Sequence, residues 1–362
     1  MENPSNNIEN QPINPYHDII SAFFDNLVCG NGSDKDCSYL DLKLRLLRDA
    51  LEDLWVIQAR KGETFKVFQN FESFEKVLFQ SNPEYRGHYI HQFDVFLLGY
   101  YILNKLLESK AEISTIYKPY PERKPNLTWM LASTFHDMGY PIEKIDSWFT
   151  MFLNTFLSVE TAYPIEIERI LSPVFFDYLR YLSEEHYNQT KEPMAVSGQC
   201  YLRDWRFHNI LLNNLKLKKD HGIVSALLLI HNLFTQETFS NFNNWLLDTF
   251  EPEILPACHA ISIHNLKIDY ETVSLKQSPF AFLLILCDSI QDWERSVDRQ
   301  DYSEMVDISV EFSVGVPKIS FILNIYSEKK YEEFDALQKR LSTNGLVNIK
   351  IKQGNGPREW NI

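Results

Sequence analysis

The chain has 362 residues, 44% of them hydrophobic, with 25 Phe and 18 Tyr, which suffices for one large aromatic-rich domain or one domain plus an appendage. A formal charge of −14 excludes broad binding of nucleic acid or anionic membrane through general electrostatics, while leaving room for a local basic pocket for a phosphate. Five cysteines without a CxxC, a polar N-terminus without an apolar h-region, and apolar runs too short to span a bilayer predict a cytoplasmic protein with reduced thiols and no membrane partner.

In chain order, residues 1–15 are polar and punctuated by proline, and read as a disordered lead-in. From residue 16 the pattern turns helical, with Ile19, Ile20, Phe23, Phe24 and Leu27 at helical spacing. Residues 40–55 predict a long amphipathic helix. Residues 64–80 predict another, on Phe68, Phe71, Phe74 and Leu78. The segment His88-Tyr-Ile-His91-Gln-Phe-Asp94 then runs into a long apolar helix. Residues 108–126 read as a polar, Pro-containing connection. A buried helix at 127–139 follows, with the pair His136-Asp137 at or near its C-terminal end. Further helices are predicted over 142–157 and 164–188, with a loop at 189–199. His221 heads another apolar helix, in which Ser225 and Ala226 are small enough for close helix approach. His259 and His264 lie in the next apolar stretch. Asp288 sits where the apolar part of the helix begun at Pro279 ends, so it is not expected to be a solvated surface charge.

After about residue 303 the period changes to two, at 306–312, 317–326 and 346–352, with a helical stretch at 328–342 between the second and third. The predicted fold class is therefore mainly α: a helical domain over 16–302, then a small β-β-α-β tail over 303–362. The tail is expected to serve packing, dimerisation or ligand sensing rather than chemistry.

The series His91, His136-Asp137, His221, His264, Asp288 has separations of 45, 84, 43 and 24 residues, so only a folded bundle could unite it. Each member taken alone reads as a core or helix-cap residue. Five such sites on different helices point instead to a metal centre. Mixed His/Asp ligation suits one or two ions of Mn, Fe, Co, Ni or Zn, with Mg admitted. Such an ion lowers the pKa of a bound water toward ~7. An anionic substrate such as a phosphate ester would need local cations in so acidic a chain. The candidate cations are Arg86, one turn before His91, Lys144, after the His-Asp turn, and Arg295, beyond Asp288. Tyr140 and Trp293 could stack on a base, though core packing is the commoner role of such rings.

The series resembles the HD superfamily of metal-dependent phosphohydrolases. The matching segments are HYIHQFDVFLLGYYIL, FHDMGYP, DHGIVSALLL, AISIHNL and LCDSIQDWER, covering roughly 85–295. The last of these resembles a bacterial branch in which the late Asp is followed by Gln and Trp, as Asp288, Gln291 and Trp293 are. The resemblance implies an HD-type helical bundle in which His91, His136, Asp137 and Asp288 bind a first metal. Asp137 would bridge to a second metal held by His221 and His264. Two-metal members often carry two closely spaced histidines late in the chain. Here the nearest pair, His259 and His264, is five apart, about 140° around a helix. His264 therefore ranks above His259, a single-metal site stays open, and His88 reads as a pocket residue rather than a ligand. The implied activity is hydrolysis of a phosphorylated small molecule, a nucleotide first, with Asp137 and His221 catalytic. The alternative is an HD-type module that binds metal or nucleotide without turnover. Asp94, three residues past His91, is expected to matter much less than Asp137.

Overall fold

Helices form where apolar residues recur at helical spacing, and α1 (His88–Ser109) is the first that the computed structural model describes. The described residues are 88–109, 111–117, 125–157, 166–171, 174–190, 200–218, 220–236, 253–266, 272–291, 304–311, 316–324, 328–353 and 356–362. The lead-in, the helices expected over 16–80, and Arg86, Trp293 and Arg295 lie outside them. The chain is mainly helical with a small sheet near its C-terminal end, and among the described residues no helix is long and apolar enough to cross a membrane.

The segment 108–126 is more than a connection: it contains α2 (Ala111–Tyr117), which buries Ile113 and Tyr117 one turn apart. Helix α3 (Pro125–Phe135) begins on a proline, whose missing N–H costs nothing in a first turn, and is buried over almost all of its length. It ends in a tight turn over 136–139, where Tyr140 N–H bonds Asp137 O at 2.9 Å. Helix α4 (Tyr140–Leu157) leaves at once. Where a single helix is expected over 164–188, the described residues form two pieces, α5 (Ile167–Ile170) and α6 (Phe175–Thr190). Helix α7 (Cys200–Lys218) was not foreseen, although Phe207, Leu211 and Leu215 are buried at four-residue spacing.

Among the described residues the bundle has three further helices, α8 (His221–Gln236), α9 (Leu255–Ile263) and α10 (Pro279–Ile290). Every residue of α9 is buried, as a helix apolar on all sides must be. It packs against α3, α6, α8 and α10 and is the axis of the bundle.

The C-terminal segment carries two strands more than the expected β-β-α-β, the short ones at Leu341–Ser342 and Glu359–Asn361. A two-residue strand, β1 (Val273–Ser274), precedes α10. Then come β2 (Glu304–Glu311), β3 (Lys318–Asn324), α11 (Glu328–Arg340), β4 (Leu341–Ser342), β5 (Asn348–Gln353) and β6 (Glu359–Asn361). The main sheet has the order β2-β3-β5-β6, with β3 and β5 parallel and the outer pairs antiparallel. Alternation buries Ile319, Phe321 and Leu323 of β3 and Ile349 and Ile351 of β5, in one continuous core with Phe334 and Leu337 of α11. The boundary expected at 302 is crossed: β4 pairs in parallel with β1, α11 packs on α10, and the same apolar core extends through both parts.

The approach of α1 to α3 depends on Gly99. A Cβ there would stand 1.9 Å from Cζ2 of Trp129, a fully buried ring whose Nε1 donates to Phe96 O at 2.9 Å. Gly99→Ala is therefore expected to destabilise the fold by about 1–3 kcal/mol through overpacking. Trp129→Phe in the same chain should recover part of the loss, a coupling that denaturant midpoints of the two single variants and the double variant would read.

Candidate metal centre

The bundle brings all six candidate ligands together at helix ends. His91 lies in the first turn of α1, His136 and Asp137 just past the end of α3, His221 at the first position of α8, His264 at the C-cap of α9, and Asp288 in the last turn of α10. Helix ends leave backbone groups without intrahelical partners, and two of the histidines use them. His136 Nδ1 donates to Ser133 O at 2.7 Å, and His264 Nδ1 donates to Ile261 O at 2.6 Å, each a carbonyl three residues back. The other two are held by side chains. His91 Nδ1 donates to Gln291 Oε1, and His221 Nδ1 donates to Glu143 Oε2 at 2.9 Å. All four imidazoles thus spend Nδ1 on an outer acceptor and turn Nε2 inward. That is the tautomer and orientation a metal-ligating imidazole needs.

The inward atoms converge on the two carboxylates. Asp137 Oδ2 lies 3.5 Å from His136 Nε2 and 3.9 Å from His91 Nε2, while its Oδ1 lies 3.4 Å from His221 Nε2 and 3.9 Å from His264 Nε2. Asp288 Oδ1 is 2.8 Å from His91 Nε2 and 3.8 Å from His136 Nε2. Most of these separations are too long for hydrogen bonds. Atoms bound at about 2.1 Å to a shared ion, at a tetrahedral angle, stand about 3.4 Å apart. His136 Nε2 is buried and has no hydrogen-bond partner, which a metal would provide. The groups His91–His136–Asp288 and His136–Asp137–His264 could each hold a metal ion.

The electrostatics point the same way. Burial pushes the His136 pKa down, but Asp137 and Asp288 outweigh it and the value is raised. At His221 burial is likewise outweighed, first by the bond to Glu143 and then by Asp137, and the pKa stands at about 9. His264 is driven to about 3 by burial and by its neighbours His136 and His221. The acidic pair therefore draws positive charge into the site, as protons where no dication is bound.

Two glycines make the convergence possible. A Cβ on Gly139 would lie 2.4 Å from His221 O and 2.8 Å from Val224 Cβ. Without one, the His-Asp turn rests on the start of α8, where Gly139 N–H donates to Ser225 Oγ at 2.7 Å. A Cβ on Gly222 would lie 2.6 Å from Ile261 O and 2.9 Å from the His264 ring.

Several contributors escaped the sequence reading. Asp94 is buried and accepts from Gln291 Nε2 at 3.3 Å, on the amide whose oxygen holds His91. Gln92, in the amide orientation that satisfies both neighbours, donates to Thr134 O at 3.1 Å and accepts from Asp137 N–H at 3.2 Å. Only Gln291 had a signal, its place three residues after Asp288. Glu143 had none. Lys144 Nζ lies over the Tyr140 ring, 4.6 Å from its centre, and that ring meets His221 edge-on at 5.4 Å, so the cation borders the site through an aromatic. The His88 side chain lies outside the described residues.

Comparison of the chain with protein-family models, with characterised proteins and with solved structures finds no match.

His259 belongs to a separate pair. Its Nε2 lies 3.0 Å from Nδ1 of His186, a ring stacked on Phe207 at 3.7 Å. Burial, and then His186, holds the His259 pKa well below the ordinary value. The unfolded chain takes up that proton near pH ~6.5 and the folded chain does not. Stability is therefore present above that pH and lost as pH falls below it, by up to ~1.4 kcal/mol per pH unit for the one proton. In His259→Gln, denaturant unfolding of the chelator-treated protein between pH 7.5 and 5 should show a slope shallower by about one proton.

Proposed function

We propose that the chain is a metal-dependent phosphohydrolase with an HD-type bundle, acting on a phosphate ester of the nucleotide class. The observation that carries this reading is the common orientation of the four imidazoles, each anchored through Nδ1 and presenting Nε2 to Asp137 or Asp288. The ordered series and its resemblance to the HD superfamily add to it. His91, His136, Asp137 and Asp288 would hold one ion, and Asp137, His221 and His264 a second. Divalent transition ions there would supply Lewis acidity toward a phosphoryl oxygen and acidify a water near neutral pH.

The protein's own groups perform the rest. Asp137 divides its two oxygens between the two halves of the site and so sets their separation. His221, kept in place by Glu143, fixes the second half and faces the reacting atoms with Asp137. The side chains of Asp288, Glu143 and His221 are 27%, 28% and 13% exposed, whereas those of His136 and His264 are 0% and 2%. Substrate therefore approaches across Asp288, His221 and Glu143. Lys144 borders that side and is assigned to the phosphate, with Arg86 and Arg295 assigned to it from their places in the sequence.

Asp137→Asn keeps the volume and removes the charge. With a substrate found by a phosphomonoesterase and phosphodiesterase panel run with Mn, Fe, Co, Ni and Mg in turn, the variant is expected to lose at least about 100-fold in turnover. It should keep its circular dichroism spectrum and bind fewer ions by elemental analysis. Activity within a few-fold of the parent would sink the hydrolase reading. Metal uptake by the parent without turnover of any substrate would favour the non-catalytic binding module.

A further inference from the structure

We propose that Arg340, supplied by the C-terminal segment, is a positioning residue for the metal centre: it clamps the turn that carries His264 and so makes that segment part of the apparatus that forms the site. The inference rests on the metal-centre reading above. Arg340 is the last residue of α11, and its Nη2 donates to Ile263 O at 2.6 Å and to Leu266 O at 2.9 Å. These carbonyls flank His264. Leu266 N–H also bonds Ile263 O at 3.2 Å, closing a four-residue turn in which His264 is the second residue. One guanidinium nitrogen thus holds the first and the last carbonyl of the turn that bears a candidate ligand.

The local chemistry explains why an outside group is used. Helix α9 has no glycine to close it in the left-handed manner; its C-cap is His264 itself, in the right-handed helical region at φ −59° and ψ −35°. The final carbonyls of the helix are left to other donors, and a cation is favoured there by the helix dipole. The ring orientation of His264 comes from Ile261 O, but the position of its Cα comes from the turn, and the turn is bonded to Arg340. Arg340 is partly buried. Burial pulls its pKa down while Asp288 and Asp220 oppose the shift, so the guanidinium lies within the field of the acids that serve the site. Asp220 caps α8 through Ile223 N–H at 3.1 Å, beside His221.

The other end of the clamp is equally tied. The residues directly after Arg340 form β4, which pairs with β1, and Leu275 N–H bonds Ser342 O at 2.8 Å. Ser274 Oγ donates to Asn344 Oδ1 at 2.6 Å, and Asn344 tolerates the left-handed backbone, φ 55°, that this corner requires. Those contacts lie four to six residues ahead of α10, which carries Asp288. The run 340–344 therefore binds the backbone leading to one ligand and clamps the turn that holds another.

The test is a double-variant cycle in the full-length protein, read by cobalt(II) uptake and its visible spectrum. Arg340→Ala is expected to weaken the cobalt step that depends on His264 by about 10–100-fold. His264→Ala should do the same, and the double variant should be no worse than His264→Ala alone, because Arg340 acts through that residue. Should Arg340→Ala not fold, the cycle is run with Arg340→Lys, which keeps the charge and loses the planar fork. Additive losses would mean a general structural role and would overturn the inference. Unchanged cobalt binding with a raised KM for substrate would make Arg340 a substrate-side cation and would also overturn it. Cobalt uptake by the parent with none of the expected loss removes this inference alone, whereas no uptake by the parent removes it together with the metal-centre reading.

Discussion

A carboxylate withdrawn from water has to be answered by positive charge, by hydrogen-bond donors or by a proton, and Asp137 imposes that condition on the helix ends around it. Its side chain is 7% exposed and four imidazole nitrogens face it. They stand 3.4–3.9 Å from its oxygens, the spacing of atoms that share an ion. In the face of burial, Asp137 and Asp288 raise the proton affinity of His136, and Glu143 and Asp137 raise that of His221, while burial and then the neighbouring His136 and His221 drive His264 the opposite way. Such a site is under tension with protons in it. One or two dications would relieve that tension at once by neutralising both carboxylates and leaving all the imidazoles neutral.

The tension can persist only because the rings are not free to turn away. Each is pinned through Nδ1, two to the orphan carbonyls of their own helix ends and two to Gln291 and Glu143. Behind these stand Asp94, which holds the Gln291 amide, and Gln92, which holds the backbone of Asp137. The placement of ligands at helix ends has a physical reason. There the backbone still has unpaired acceptors to offer, and there the chain can change direction so that side chains from different helices meet. Close approach completes the arrangement, and Gly139 and Gly222 permit it, because a methyl group on either would collide with the neighbouring helix end.

The C-terminal sheet and its helix share the core of the bundle. Among the described residues they meet β1, α10, which carries Asp288, and, through Arg340, the turn that carries His264. A segment whose period-two pattern suggests an appendage is built against the back of the site, through backbone pairing and a guanidinium rather than through apolar packing alone.

The sequence by itself determined the kinds of element and the order of the chemistry. Apolar runs of helical period end at His136, Asp288 and, from the other side, His221, and a polar residue at such an end is visible without any structure. Period-two alternation at 319–323 and 349–351 likewise announced the strands, because the pleat alone dictates it. The order of the series, and the separation of about 140° between His259 and His264, already ranked His264 as the ligand. The tertiary structure decided that the rings meet and what holds each one. It also decided that His259, five residues before His264 on the same buried helix, faces His186, because helix crossings rather than the period of that helix set what each side meets. Glu143, Asp94 and Arg340 were invisible for a related reason. Their partners lie 78, 197 and 77 residues away in the chain. Contacts of that range are set by how helices cross and how closely they approach, not by the period of any one of them.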